Sequence, residues 1–191
     1  MSDLKRFQLD RHNAAVAVID VQEKLVTAMD SKRYGRMRDN IEVLLKGAGL
    51  LGVPVVATEQ YPRGLGSTVG ELQAACRDKV VEKVSFSCCG EPAFLDHLKA
   101  LGKKQIIITG MEAHVCVYQT VLDLLENGYY VHLVRDAVIS RRGGDELAGV
   151  ENAARAGAVP TTVETVLFQL MKSSKSAEFK AVSSLIKDMD K

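Results

Sequence analysis

Three residue types that together can run acyl transfer each close a separate apolar run of this 191-residue chain. Asp20 follows Ala14-Ala-Val-Ala-Val-Ile, Lys83 follows Val80-Val-Glu, and Cys116 ends Gly110-Met-Glu-Ala-His-Val-Cys directly after Gln105-Ile-Ile-Ile-Thr. A thiol near neutral pH becomes a nucleophile with the help of a base or a cation. A carboxylate can take its proton, and an ammonium can stabilise the anion and orient the acid. The backbone N–H of Cys116 and of the loop before it could receive a tetrahedral oxyanion. Each residue also has a plainer reading. Free cysteine is among the most buried residue types, an aspartate after a strand often caps the next helix, and a lysine at a sheet edge is usually solvated. What favours the chemical reading is that all three fall at the carboxyl ends of inferred strands, the edge where parallel sheets bind ligands.

The elements that must position this trio are legible as alternating short β-branched runs and longer amphipathic stretches. Strands are predicted over 14–20, 53–58, 80–83, 105–109, 130–134 and 158–162. Helices are predicted over 36–51, 93–100, 115–127, 145–156, 164–172 and 177–189, with Gly52, Gly102, Gly128 and Gly157 as stops. The pattern implies an α/β fold: a single domain over 1–191, three-layer α/β/α, with a six-stranded, mostly parallel, Rossmann-like sheet. The apolar C-terminal segments, with Val166, Leu167, Leu170 and Met171 and then Phe179, Val182, Leu185 and Ile186, could cover this sheet or pack on a neighbouring subunit.

Composition narrows the partners. A net charge of +1 leaves no electrostatic footprint for nucleic acid or a membrane surface, so a small-molecule substrate is expected. No stretch approaches the roughly 20 apolar residues of a membrane span, and the N-terminus has no apolar signal region. The expectation is a soluble, cytoplasmic protein. Cys76, Cys88, Cys89 and Cys116 show neither metal-ligand spacing nor a disulfide framework.

Four segments, Val18-Ile-Asp-Val-Gln, Glu82-Lys-Val-Ser-Phe-Ser, Gly110-Met-Glu-Ala-His-Val-Cys-Val and Arg135-Asp-Ala-Val-Ile-Ser-Arg-Arg, make the chain resemble the isochorismatase-like cysteine hydrolases from about Asn13 to Leu170. The resemblance implies a catalytic triad of Asp20, Lys83 and Cys116 and a cis peptide between Met111 and Glu112. That bond would aim the Glu112 N–H at the oxyanion beside that of Cys116. It also implies a homo-oligomer. Nicotinamidase-like members carry an aspartate and histidines after the second strand to hold a metal ion. Here that segment reads Thr58-Glu-Gln-Tyr-Pro-Arg-Gly-Leu-Gly-Ser-Thr, and no histidine lies between His12 and His97. Neither a metal nor another cofactor is therefore expected, because the borderline-soft nitrogen ligands are missing. The wording is closest to the isochorismatase domain-containing subgroup. Isochorismatase itself acts on a vinyl ether and needs no thiol nucleophile, so Cys116 points away from that reaction.

The leading expectation is a metal-independent hydrolase of an amide-like C–N bond that works through a thioester at Cys116. Gln22, Leu25, Gln60, Tyr61, Phe86 and His114 are candidate substrate contacts. Tyr61 and Phe86 could equally be packing groups. His114, two residues from Cys116, is expected in a supporting or interface role, since side chains two apart do not face each other. Arg141-Arg142 reads as an exposed charged turn in preference to an anion site. An alternative function is a catalytically silent or redox-responsive scaffold, in which a low-pKa thiol beside Lys83 oxidises reversibly. A weaker alternative is a nicotinamidase with an unusual metal site.

Overall fold

A computed structural model describes residues 3–77 and 79–189. Its six strands are β1 (Ala14–Ile19), β2 (Val55–Gln60), β3 (Val80–Lys83), β4 (Gln105–Met111), β5 (Tyr130–Ile139) and β6 (Val159–Thr161). They form one sheet in the order β3-β2-β1-β4-β5-β6, and every pairing is parallel. The central strands β1 and β4 are buried at every position, as expected for strands covered on both faces.

Among the described residues seven helices lie between the strands, α1 (Glu23–Val26), α2 (Ser31–Leu50), α3 (Pro62–Leu65), α4 (Gly70–Cys76), α5 (Pro92–Leu101), α6 (Tyr118–Glu126) and α7 (Gly143–Ala156), and two follow the last strand, α8 (Val163–Met171) and α9 (Phe179–Asp188). One face of the sheet packs Ile41, Leu44 and Leu45 of α2, Leu72 of α4, Val166, Leu167 and Leu170 of α8 and Val182 of α9. The other packs Phe94 and Leu98 of α5, Val121 and Leu124 of α6 and Ala153 of α7. This is the expected three-layer α/β/α arrangement. Val166, Leu167, Leu170 and Met171 of α8 and Val182 of α9 join the core on the α2 side of the sheet, while Leu185 stays outside it.

Several boundaries differ from the sequence reading. Helix α2 starts at Ser31 rather than Arg36 because the Asp30 carboxylate caps it, accepting from Arg33 N at 2.9 Å. Strand β5 runs five residues past Val134. Leu133 pairs with Ile108 and Val138 with Gly110, so the intervening residues bulge. Arg135-Asp136 belongs to that bulge, where the Asp136 carboxylate accepts from Val163 N at the start of α8. Helices α1, α3 and α4 are too short or too polar to show a period in the sequence.

Candidate active site

The carboxyl edge of the sheet gathers the three candidate residues from three strands. Asp20 sits just past β1 with φ of +52°, a left-handed conformation that non-glycine residues rarely adopt and that concentrates at functional sites. Lys83 ends β3. Cys116 lies in a single π-type turn, Ala113–Val117, between β4 and α6, so it precedes the regular helix instead of starting it. The Met111–Glu112 peptide is cis.

Two glycines make this convergence sterically possible. Gly110, at φ of +111°, passes so close to β1 that a Cβ there would stand 2.0 Å from the Ile19 carbonyl oxygen. Gly149 lets α7 press on the turn carrying Cys116, where a Cβ would lie 2.7 Å from Ala113 O.

Asp20 and Lys83 form an ion pair, Nζ to Oδ2 2.7 Å, with both side chains fully buried. Such a pair survives burial only if its remaining hydrogen-bonding groups are satisfied. The three ammonium protons go to Gln60 Oε1 (2.7 Å), Phe86 O (3.0 Å) and Ser85 O (3.1 Å). Asp20 Oδ1 accepts from the Thr58 hydroxyl at 2.7 Å. The Cys116 thiol is within hydrogen-bonding reach of the same carboxylate.

Burial pushes the Cys116 thiol up to about 12; the Asp20 charge adds to this, and Lys83 only partly opposes it. The low-pKa thiol expected beside a lysine is thus corrected: in the resting site the sulfur keeps its proton. For Lys83, burial is the largest influence and would lower the pKa, but the Asp20 carboxylate together with Cys88 and Cys116 outweighs it, and the ammonium lies above its ordinary range.

The structure redistributes the expected substrate contacts. Gln22 is fully buried and its amide is committed to the backbone, donating to Gln60 O (3.0 Å) and Gly66 O (2.6 Å) and accepting from Gln60 N (2.7 Å). It fastens β2 to the following loop and offers nothing to a substrate. Gln60 holds Lys83 with its oxygen and donates to Val84 O at 2.8 Å with its nitrogen, so it orients the cation. Leu25 packs against the core on the α2 face, away from the Cys116 face. Tyr61 is exposed and lines a cavity of about 360 Å³ with Pro62, Arg63, Glu82, Lys83, Val84 and Glu91. Phe86 is 58% exposed near this edge. His114 Nδ1 pairs with Ser140 Oγ at 2.9 Å, a supporting contact and not a Cys-His dyad. Arg141 is held to Glu112 at 3.0 Å. A larger cavity, about 710 Å³ between residues 7–9 and α8, contains none of the trio.

Sequence reasoning missed Thr58 and Thr120, and it read Cys88, near the pocket, as simple apolar packing; Cys88 is fully buried. The Thr120 hydroxyl donates to Cys116 O at 2.6 Å and accepts from Cys88 N at 2.9 Å. The four-residue spacing of Thr120 from Cys116 was the one available signal. Glu59 bonds Thr68 through N (2.6 Å) and Oγ1 (2.8 Å), and no group of three potential metal ligands converges among the described residues. No helix among them is long and apolar enough to cross a membrane.

The fold is thus a parallel α/β sheet with a buried Asp-Lys-Cys cluster at its carboxyl edge. The chain belongs to the isochorismatase family: the model of the Isochorismatase domain matches residues 14–165. It is 39% identical over 168 residues to isochorismatase domain-containing protein 1 of Danio rerio, covering 88% of this chain and 59% of that protein. Among solved structures, the MAR1 ribonuclease of Caenorhabditis elegans is 37% identical, with a TM-score of 0.88 over 94% of this chain and 92% of that one. YcaC of Escherichia coli, described as an octameric hydrolase of unknown specificity, is 26% identical, with a TM-score of 0.87 over 96% and 93%. Family and neighbours together make this protein an isochorismatase-family hydrolase.

Proposed function

We propose that the protein is a metal-independent cysteine hydrolase that cleaves an amide-like C–N bond of a small molecule through a thioester at Cys116. The observation that carries this reading is the buried Asp20–Lys83 pair at 2.7 Å with the Cys116 thiol beside it. With a thiol pKa of about 12, only about one molecule in 10⁵ is thiolate at pH 7, so the proton leaves as the sulfur attacks. Asp20 takes it, and the sulfur bonds to the carbonyl carbon. The oxyanion is received by the N–H groups of Glu112 and Cys116. Asp20 then protonates the departing amine, and the C–N bond breaks to leave the thioester. Water, deprotonated by Asp20, releases the acid and regenerates the thiol. Lys83 remains an ammonium throughout and holds Asp20 in place.

Glu59, the one carboxylate in the segment that holds metal in nicotinamidase-like relatives, is engaged by Thr68, which supports a reaction without metal. The octameric neighbour supports a homo-oligomer, and four unpaired cysteines suit a reducing compartment such as the cytoplasm.

The test is ammonia release from a panel of small amides and ureido acids, followed with intact mass, for wild type and Cys116→Ala. Turnover with a transient acyl mass in the wild type alone is expected. Full activity in Cys116→Ala would sink the covalent route. Single-stranded RNA belongs in the same panel because of the ribonuclease neighbour; RNA cleavage that persists in Cys116→Ala would place the chemistry elsewhere.

A further inference from the structure

The two oxygens of Asp20 have different surroundings. Oδ1 accepts the Thr58 hydroxyl at 2.7 Å. Oδ2 stands 2.7 Å from Lys83 Nζ in the ion pair but makes no hydrogen bond of good geometry among the described residues, while the same ammonium bonds Gln60, Ser85 and Phe86. We propose that Thr58 is a positioning residue that reserves Oδ2 of Asp20 as the proton acceptor for Cys116. The proposal rests on the cysteine-hydrolase reading above and assigns the atom at which its proton moves.

The direction of each hydrogen bond follows from the chemistry of the groups. An ionised carboxylate only accepts, so the single Thr58 proton must go to Oδ1. The hydroxyl oxygen is then an acceptor, and Cys88 Sγ lies 3.6 Å from it in a fully buried position. Burial pushes the Cys88 thiol up to about 11, so it has a proton to donate. The chain therefore runs Cys88 S–H to Thr58 O–H to Asp20 Oδ1. Cys88 N donates to Thr120 Oγ1, which in turn donates to Cys116 O, and this links the acid and the nucleophile behind the site. When Cys116 gives up its proton, Oδ1 already has a donor and Oδ2 receives it.

Alkylation of Cys116 by acrylamide, located by peptide mass mapping and timed at pH 7, tests this. It needs a reachable thiol and a proton acceptor but no hydrolysable substrate, so a barren amide panel leaves it intact. Thr58→Val keeps the side-chain shape and removes the donor, so alkylation should slow about tenfold. Thr58→Ser should restore the rate, and Cys88→Ala should slow it by less. A Thr58→Val rate equal to that of the wild type would overturn the proposal. So would Thr58→Ser as impaired as Thr58→Val, since the effect would then be one of packing.

Discussion

The sheet buries ionisable groups near both of its ends and stabilises them in opposite ways. At the carboxyl edge Asp20 and Lys83 are both charged, paired at 2.7 Å and surrounded by donors and acceptors. Toward the amino end of β5, His132 is 1% exposed, its Nε2 has no partner among the described residues, and burial lowers its pKa to about 4, so it stays neutral. A charge is retained inside this protein only where several elements converge to satisfy it. His132, without such support, is neutral because it gives up its proton.

Breaking the paired end should have the largest effect. Lys83→Met leaves the Asp20 carboxylate buried and unpaired and should cost about 3 to 5 kcal/mol in urea unfolding, with most of the loss recovered by adding Asp20→Asn. The neutral end sets a pH dependence. His132 has its pKa lowered on folding, so the unfolded chain binds a proton that the folded one does not between pH 6.5 and 4. Stability should therefore fall by about 3 kcal/mol as pH drops through that window. In His132→Gln this contribution disappears, which unfolding measured at pH 7 and 4.5 would show as a shallower slope. Packing tests how far the paired end depends on its backbone frame. Gly149→Ala should destabilise by about 1 to 3 kcal/mol and slow Cys116 alkylation, because the added methyl meets Ala113 O. The smallest effect belongs to an ion pair that reaches solvent: Arg141→Ala frees Glu112 but should change stability by less than about 1 kcal/mol.

The trio was legible because a polar residue that ends an apolar strand stands out against its neighbours, and because parallel strands align their carboxyl ends. What surrounds the trio was not. Gln22 and Gln60 look like substrate contacts in one dimension, yet their amides meet backbone groups tens of residues away. The thiol pKa could not be read from the presence of Lys83, because its direction depends on how deeply Cys116 sits and how near Asp20 lies. The β5 bulge hid behind Arg135-Asp136, where charges interrupt the apolar pattern without ending the strand.

Lys83 is delivered by β3, a four-residue strand bonded on one side only, to β2. Edge strands open at lower free energy than the centre of a sheet. Fraying of this margin withdraws the cation while the nucleophile and its acid, carried by the interior strands, stay folded. Heat inactivation should thus precede global unfolding, with amide exchange at Val81 and Lys83 tracking the loss of activity rather than the melting of β1 and β4.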